Sequence, residues 1–302
     1  MAEDSELRIH VTGEMIAREI LRDLEKEFYG NRCRKLLQFP GGDYYIKKEL
    51  LSLTLRCRRA NTFVEVFGGG GLMCALVPRE KFKIIVYNDK SDVLVAFFKT
   101  IQKEPERLAV ESVLIPSSRK IYNEFTKILR SEEIKDYPDF EKAKIFFYTI
   151  SHAMFGTVGS GFGMGKKGHR NLHKTYLRKL VFLKEIAKSY LDVIIEDKDF
   201  RDIIPLYDRD TTLFYCDPPF LNTRIKRDDY YPVSFTESDF NDLLNLLSSI
   251  KGSFILKLSG DHLSYDFINE FVQKCNVLRL EKPLYHHKDV GVSRRSHVLL
   301  LV

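Results

Sequence analysis

The strongest restriction on the fold comes from an apolar, aromatic-rich run that ends in an acid and two prolines, Leu213 to Phe220. Such a short run is typical of a strand that is buried on both faces. The two prolines cannot donate hydrogen bonds to a sheet or continue a helix, so the strand must end before them. Asp217 is therefore predicted at the carboxyl end of a strand, where ligands bind in open α/β sheets. The alternative is a tight turn in which Asp217 is only a turn acid.

A second strand-forming run, Phe63 to Phe67, leads through Gly68 to Gly71 into a helical segment from Leu72 to Val77. A glycine loop between a strand and a helix lets a nucleotide-type cofactor approach the backbone, with N–H groups at the helix start facing it. A further strand, Ile84 to Tyr87, leads to Asp89. This acid stands about 20 residues after the loop, where it can accept hydrogen bonds from ribose hydroxyls. A βαβ unit with a plain tight turn is the alternative.

The remaining elements complete an alternation of strands and helices. Further strands are predicted at Val193 to Glu196, Phe254 to Leu258 and His297 to Val302. Helices are predicted at Ile16 to Tyr29, Val93 to Val110, Ser238 to Ile250 and Tyr265 to Lys274, with Ser238 as a cap and the first helix packing on the core. This alternation predicts a mostly parallel, doubly wound α/β sheet.

The segment from 98 to 190 departs from this rhythm. It is rich in lysine, arginine and aromatic residues, and its stretch from Gly159 to Arg170 contains five glycines beside Lys166 and Lys167. Such a loop can follow a phosphate backbone and reach base edges, although a flexible surface loop is an equal alternative. We therefore predict three parts: the first half of a catalytic domain (1–97), an inserted, mostly helical recognition domain (98–190), and the second catalytic half (191–302).

Charge and cysteine content are consistent with this organisation. The net charge of +6 is compatible with a polyanionic partner without requiring one. The 5 cysteines are far apart in the sequence, which argues against a zinc site or a disulfide scaffold and suits a reducing compartment. The first residues do not form a signal peptide, and no apolar run reaches the roughly 18 residues of a membrane span. We expect a cytoplasmic protein without a metal.

Taken together, the glycine loop, the Asn88-Asp89 pair and Asp217 to Phe220 resemble the Dam-like (class alpha) DNA adenine N6-methyltransferases. The resemblance covers nearly the whole chain from about Gln38 onward, and its motif order matches the subgroup in which the target-recognition domain is inserted. It implies a Rossmann-like fold, S-adenosylmethionine as cofactor and double-stranded DNA as substrate.

The resemblance also implies residue roles. The catalytic motif is Asp217, Pro218, Pro219 and Phe220. The implied cofactor contacts are Phe39, Gly41, Gly42, Glu65, Phe67, Gly68, Gly69, Gly70, Asp89, Asp199, Phe200 and Asp217. For DNA binding, the sequence suggests Lys166, Lys167, Arg170, Tyr230, Arg294 and Arg295.

The implied chemistry has a physical basis. The adenine amine is a poor nucleophile because its lone pair is delocalised into the ring. The carboxylate of Asp217 and the carbonyl of Pro218 can localise that lone pair toward the methyl group, while Phe220 stacks on a base that has been flipped out of the duplex. The chain departs from the family at two positions: Asp43 replaces the usual lysine, and Phe220 replaces the commoner tyrosine. The second change keeps the stacking face of the ring.

Other functions compete with this interpretation. The nearest are methylation of cytosine N4 and of a base amine in RNA; cytosine enzymes more often carry serine in place of Asp217. A non-catalytic protein that binds S-adenosylmethionine or DNA has no need to keep Asp217, Asp89 and the glycine loop together. A nicotinamide-dependent reductase does not explain the Asp-Pro-Pro motif. Enzymes of this family either work with a cognate restriction endonuclease or act as orphan or viral enzymes without one, and both cases stay open. We expect a prokaryotic, viral or mobile-element origin.

Overall fold

The structure, a computed structural model, describes residues 2–28, 37, 44, 46–163, 171–219, 221, 235–259, 262, 265–283 and 295–301. Within these ranges the strands are β1 (Thr62–Glu65), β2 (Ile84–Asn88), β3 (Val193–Glu196), β4 (Thr212–Cys216), β5 (Ser253–Ser259), β6 (Val277–Pro283) and β7 (Arg295–Leu301). The α-helices are α1 (Ala2–Glu27), α2 (Lys47–Arg56), α3 (Leu72–Leu76), α4 (Asp92–Lys103), α5 (Pro105–Val113), α6 (Arg119–Arg130), α7 (Asp139–His152), α8 (Leu172–Val181), α9 (Leu183–Ala187), α10 (Phe200–Tyr207), α11 (Glu237–Leu247) and α12 (Asp266–Val272). Short 3₁₀ turns lie at Glu132–Asp136, Met154–Gly156 and Lys188–Tyr190.

The described strands form one sheet in the order β3-β2-β1-β4-β5-β7-β6. The first five of these are parallel neighbours, whereas β7 pairs antiparallel with both β5 and β6. The chain moves outward from β1 to β3 on one side and resumes with β4 and β5 on the other. The direction of winding therefore reverses between β1 and β4, which is where ligands bind in open α/β sheets. The predicted doubly wound, Rossmann-like α/β fold is confirmed.

The two strands that flank this reversal are the most deeply buried. Every residue of β1 and β4 is buried, as their continuous apolar runs predicted. Residues from β1, β2, β4 and β5 pack with α10, α11 and α12 in one core cluster that includes Val64, Val86, Ile203, Phe214, Phe240, Leu256 and Ile268. This packing fixes the carboxyl ends of β1 and β4 in place.

The chain divides into two compact units, one of residues 1–42 with 92–192 and the other of residues 43–91 with 193–302. The first unit is helical in all its described elements, and its core contains stacked aromatic side chains such as Phe97 and Phe147. Helix α1 packs on α5 and α8 of this unit. The sequence pattern instead predicts that residues 1–97 form the first half of the catalytic domain. That the helical unit recognises the DNA target stays a prediction.

Several local predictions need correction. The helix predicted from Val93 to Val110 is two helices, because Pro105 cannot continue α4 and instead occupies the first turn of α5. The cap of α11 is Thr236 rather than Ser238: its hydroxyl accepts the N–H of Asp239, and the Asp239 carboxylate accepts the N–H of Thr236. Strand β6 was not predicted.

Helix α1 was predicted correctly as a helix, although some of its apolar side chains do not pack on the core. Ile16 and Ile20 are 49% and 37% exposed, whereas Ala17 and Phe28 are buried.

Candidate active site

Asp217 lies directly after β4, at the reversal point of the sheet. In the parallel ladder Cys216 pairs with Leu256 of β5, so Asp217 is the first residue beyond the paired strand. The side chain of Asp217 is 21% exposed, and Pro218 after it is buried. Leu221 is buried in the core cluster, so the chain has returned to the core by that residue. The Asp-Pro-Pro segment is therefore held at both ends, with a partly open carboxylate between them.

Lys257 belongs to this site, although the sequence analysis did not single it out. It follows Leu256 in β5, and its Nζ lies 2.6 Å from Oδ2 of Asp217. The lysine side chain is only 7% exposed. A lysine inside an otherwise apolar strand was visible in the sequence, but its neighbour could be known only once β5 was placed beside β4. Burial, together with the nearby Asp217 charge, raises the pKa of the Cys216 thiol, so this group stays neutral.

The glycine loop after β1 is held tightly by the neighbouring strand. The N–H of Gly68 donates to the carbonyl of Asn88 at 2.7 Å, and that of Gly71 donates to the carbonyl of Gly68 at 2.8 Å. A Cβ atom on Gly68 would lie 2.2 Å from the ring of Tyr87. Gly69 and Gly71 have φ angles of 47° and 64°, which favour glycine. Gly68, Gly69 and Gly71 are thus required by backbone geometry and close packing.

Glu65 binds the backbone of α3, the helix that follows the glycine loop. Its side chain is buried, and its two carboxylate oxygens accept the N–H groups of Cys74 at 2.8 Å and Met73 at 3.4 Å. The sequence pattern predicts that the N–H groups at the start of α3 face a ligand. The structure shows that two of them bind Glu65 instead. A contribution of Glu65 to cofactor binding would therefore be indirect, through the position of α3.

Asp89 lies at the end of β2 and contacts the same loop. Its Oδ2 accepts the N–H of Gly69 at 2.8 Å, and its Oδ1 accepts the N–H of Ser91 at 2.8 Å. Burial raises the pKa of the Asp89 carboxyl above its ordinary value, although these two N–H donors oppose the effect. The residue is partly exposed, and each carboxylate oxygen has a second lone pair for a hydroxyl donor.

Asp199 and Phe200 lie where the chain leaves β3 and enters α10. Asp199 caps α10, since its Oδ1 accepts the N–H of Arg201 at 3.0 Å, and its Oδ2 lies 2.7 Å from Nζ of Lys90. Burial alone would raise the pKa of Asp199, but the Lys90 ammonium and the Arg201 N–H together hold it below its ordinary value. Asp199 is therefore a carboxylate that already has a cationic partner.

Three phenylalanines form a cluster beside these acids. The ring of Phe200 lies 5.8 Å from that of Phe67 and 5.7 Å from that of Phe235, and the rings of Phe67 and Phe235 are 5.6 Å apart. Phe67 and Phe235 are only partly buried. An aromatic surface near two carboxylates and a glycine loop has the chemistry of a nucleoside site: ring faces for a base, and carboxylate oxygens for hydroxyl and amine donors.

Not every predicted site residue can be placed. Phe39, Gly41, Gly42, Lys166, Lys167, Arg170, Phe220, Tyr230 and Arg294 lie outside the described residues. Arg295 begins β7. Gly70 lies in the glycine loop and is partly buried. Of the predicted set, the structure brings Glu65, Phe67, Gly68, Gly69, Gly70, Asp89, Asp199, Phe200 and Asp217 to the carboxyl ends of four parallel strands or the loops that follow them.

The described part of the chain contains neither a metal-binding cluster nor a membrane-spanning helix. No group of three or more histidine, cysteine, aspartate and glutamate side chains in that part of the chain could hold a metal ion. None of the helices described is both long and apolar enough to span a membrane.

Known proteins resemble this chain over most of its length. Residues 41–283 match the family described as D12 class N6 adenine-specific DNA methyltransferase. The chain is also 24% identical over 225 residues to the Type II methyltransferase M.MjaIII of Methanocaldococcus jannaschii, an alignment that covers 69% of this chain and 75% of the relative. The matched family range includes the glycine loop, Asp89 and Asp217.

Proposed function

Because the chain belongs to the family of D12 class N6 adenine-specific DNA methyltransferases, we propose that it methylates adenine N6 at specific sites in double-stranded DNA, with S-adenosylmethionine as the donor. The observation that carries the residue-level proposal is the position of Asp217. Its partly open carboxylate lies at the reversal point of the sheet, and the neighbouring strand β1 leads into the glycine loop. One site can therefore hold both the donor and the base.

Asp217 acts on the target base. Its carboxylate accepts a hydrogen bond from the N6 amine, and the carbonyl of Pro218 lies next to it along the chain. Together they localise the amine lone pair, which makes the nitrogen a better nucleophile. Pro218 and Pro219 keep this segment extended because a proline ring fixes φ. Phe220 is proposed to stack on the base through its ring face.

The cofactor is proposed to bind across the glycine loop. Asp89, a partly exposed residue, suits ribose hydroxyl donors, and Asp199 with the aromatic cluster around Phe200 suits an adenine ring and its amine. Gly68 and Gly69 allow close approach of the backbone. When bound, S-adenosylmethionine supplies an electrophilic methyl group on a sulfonium that leaves as a neutral thioether. What this chain contributes is alignment of the two reactants.

DNA is proposed to contact the glycine-rich loop of the helical unit, from Gly159 to Arg170. The described beginning of this loop is anchored: Phe162 forms an antiparallel bridge with Ala153, and the N–H of Gly163 donates to the carbonyl of His152 at 2.8 Å. This anchored start, with glycines and cations following it in the sequence, supports a contact between the loop and the duplex. The phosphate contacts would position the DNA, and any base-edge contacts would select the sequence.

The target adenine must leave the base stack to reach Asp217, at a cost of a few kcal/mol. The Type II designation of the archaeal relative supports a restriction–modification setting, in which a cognate endonuclease would be the partner. An orphan enzyme would carry out the same chemistry without that partner.

Product identification tests this function. Duplex DNA is incubated with the protein and methyl-labelled S-adenosylmethionine, digested to nucleosides and analysed by mass spectrometry. The label should appear in N6-methyldeoxyadenosine. Label in N4-methyldeoxycytidine, or in RNA offered in parallel, would favour the alternative base-amine methyltransferases. A protein that binds the donor and DNA but transfers no label would be the non-catalytic alternative.

A further inference from the structure

We propose that Lys257 is a positioning residue for methyl transfer: it holds Oδ2 of Asp217, so that the carboxylate keeps the orientation in which it accepts the hydrogen bond from the target amine. This inference rests on the proposed role of Asp217. It assigns a function to a residue that lies one strand away from the Asp-Pro-Pro motif.

The strand register brings the two residues together. Cys216 of β4 and Leu256 of β5 are partners in a parallel ladder, and Asp217 and Lys257 are the next residue on each side. Residues opposite each other on neighbouring strands project to the same face of a sheet. The side chains meet there, with Nζ of Lys257 2.6 Å from Oδ2 of Asp217.

Burial of the Lys257 ammonium group costs free energy, which argues against a purely structural role. Its side chain is 7% exposed, and its neighbours Leu256 and Leu258 are fully buried in β5. A buried ammonium group loses its hydration, and apolar residues of similar volume often replace buried ion pairs without loss of stability. Apolar side chains in place of both members of the pair would therefore serve the core at least as well. The lysine is explained by what it does to the carboxylate.

The pairing has two consequences for the reaction. It limits rotation of the Asp217 carboxylate, because Oδ2 stays against the ammonium. It also favours the ionised form of Asp217, since an opposite charge at this distance stabilises a carboxylate. Cys216, which precedes Asp217 along β4, stays neutral because burial and the Asp217 charge raise the pKa of its thiol. A fixed, ionised acceptor is what a weakly nucleophilic amine requires.

The test compares Lys257→Met and Lys257→Arg with the wild type in single-turnover methyl transfer to duplex DNA. Lys257→Met removes the charge and keeps an unbranched side chain that is one heavy atom shorter. We expect transfer to slow by about tenfold to a hundredfold, as for a small misplacement of a reacting group, while S-adenosylmethionine and DNA dissociation constants stay within about threefold. Lys257→Arg should recover part of the rate. The acid limb of the pH–rate profile should move to higher pH in Lys257→Met.

A matched control is available in the helical unit. Lys142 has the same exposure of 7% and the same 2.6 Å distance to a carboxylate, that of Asp92. Lys142→Met removes an equally buried lysine from an ion pair, although Asp92 is more exposed than Asp217, and should leave the transfer rate and the pH profile unchanged. Melting temperatures of both variants show whether either effect is a loss of folded protein.

The outcomes separate this inference from the proposed function. If the wild type forms no N6-methyladenine, the proposed function fails, and with it the premise for Lys257. If the wild type methylates adenine and Lys257→Met does so at the same rate with the same pH profile, only the role of Lys257 is overturned. It is also overturned if Lys257→Met merely lowers the melting temperature and the folded fraction transfers at the wild-type rate.

Discussion

The carboxylate of Asp89 accepts the backbone N–H of Gly69 at 2.8 Å and so ties the end of β2 to the glycine loop after β1. The other oxygen of Asp89 accepts the N–H of Ser91 at the same distance. Asp89 is therefore a support of the loop as well as a candidate partner for ribose hydroxyls. Its replacement should affect cofactor binding through both roles.

We predict that Asp89→Ala weakens S-adenosylmethionine binding by roughly 1.5–3 kcal/mol, about one to two decades in affinity, because a charge-assisted hydrogen bond is lost. Calorimetric titration of the variant with the cofactor measures this change. An unaltered dissociation constant would mean that Asp89 is only a turn residue.

The pH dependence of binding provides the control for Asp89. Ribose hydroxyls need the ionised carboxylate as acceptor, and burial raises the pKa of Asp89. The affinity of the wild type for S-adenosylmethionine should therefore fall as the pH is lowered toward that raised pKa. Asp89→Ala lacks this carboxyl group, so its affinity should not show this fall. A parallel loss in both proteins would assign the dependence to another residue.

Gly68→Ala should damage the loop, because the new Cβ atom would meet the buried ring of Tyr87 at 2.2 Å. The hydroxyl of Tyr87 donates to the carbonyl of Gly69 at 3.0 Å, so movement of the ring also disturbs the next residue. We expect a loss of about 1–3 kcal/mol in the free energy of unfolding, as for overpacking. Urea denaturation measures it.

Gly13→Ala is the matched control for Gly68→Ala. Gly13 lies inside α1, and a Cβ atom there would meet nothing within 4 Å. Alanine in a helix interior should raise stability by about 0.5–1 kcal/mol. If both alanine variants shift stability equally, close packing at Gly68 is not the cause.

Thr236→Ala should lower the free energy of unfolding by about 0.5–2 kcal/mol, because it removes the capping box at the start of α11. Ser238→Ala, two residues further and equally exposed, should change stability by less than about 0.5 kcal/mol. Urea titrations of the two variants test this difference. A larger effect at Ser238 would restore the cap predicted from the sequence.

Much of the site could be predicted from the sequence because its signals are local. The apolar runs of β1 and β4, the glycine loop and the acids that follow strand ends depend on neighbouring residues only. The helix break at Pro105 and the Thr-x-x-Asp capping box at Thr236 are local signals as well, so both could be predicted from the sequence. Lys257 is different: its partner Asp217 is 40 residues away in sequence, and the contact depends on which strands are adjacent.

Lys166→Ala combined with Lys167→Ala should weaken DNA binding similarly on all sequences and flatten its salt dependence, because about two released counterions are lost. Fluorescence anisotropy at several salt concentrations measures the slope. The double variant Lys251→Ala and Lys274→Ala removes the same charge from exposed positions of the other unit and should keep the wild-type slope. Unchanged affinity and slope in the first variant would redirect the search to Arg294 and Arg295.

Asp217 is proposed to act on the adenine amine rather than on the cofactor. The decisive experiment is single-turnover transfer of labelled methyl groups to duplex DNA by Asp217→Ala, with the S-adenosylmethionine dissociation constant measured on the same preparation. Transfer should fall by at least about a hundredfold, while cofactor affinity stays within about tenfold. Transfer by Asp217→Ala at the wild-type rate would contradict the assignment of the active site.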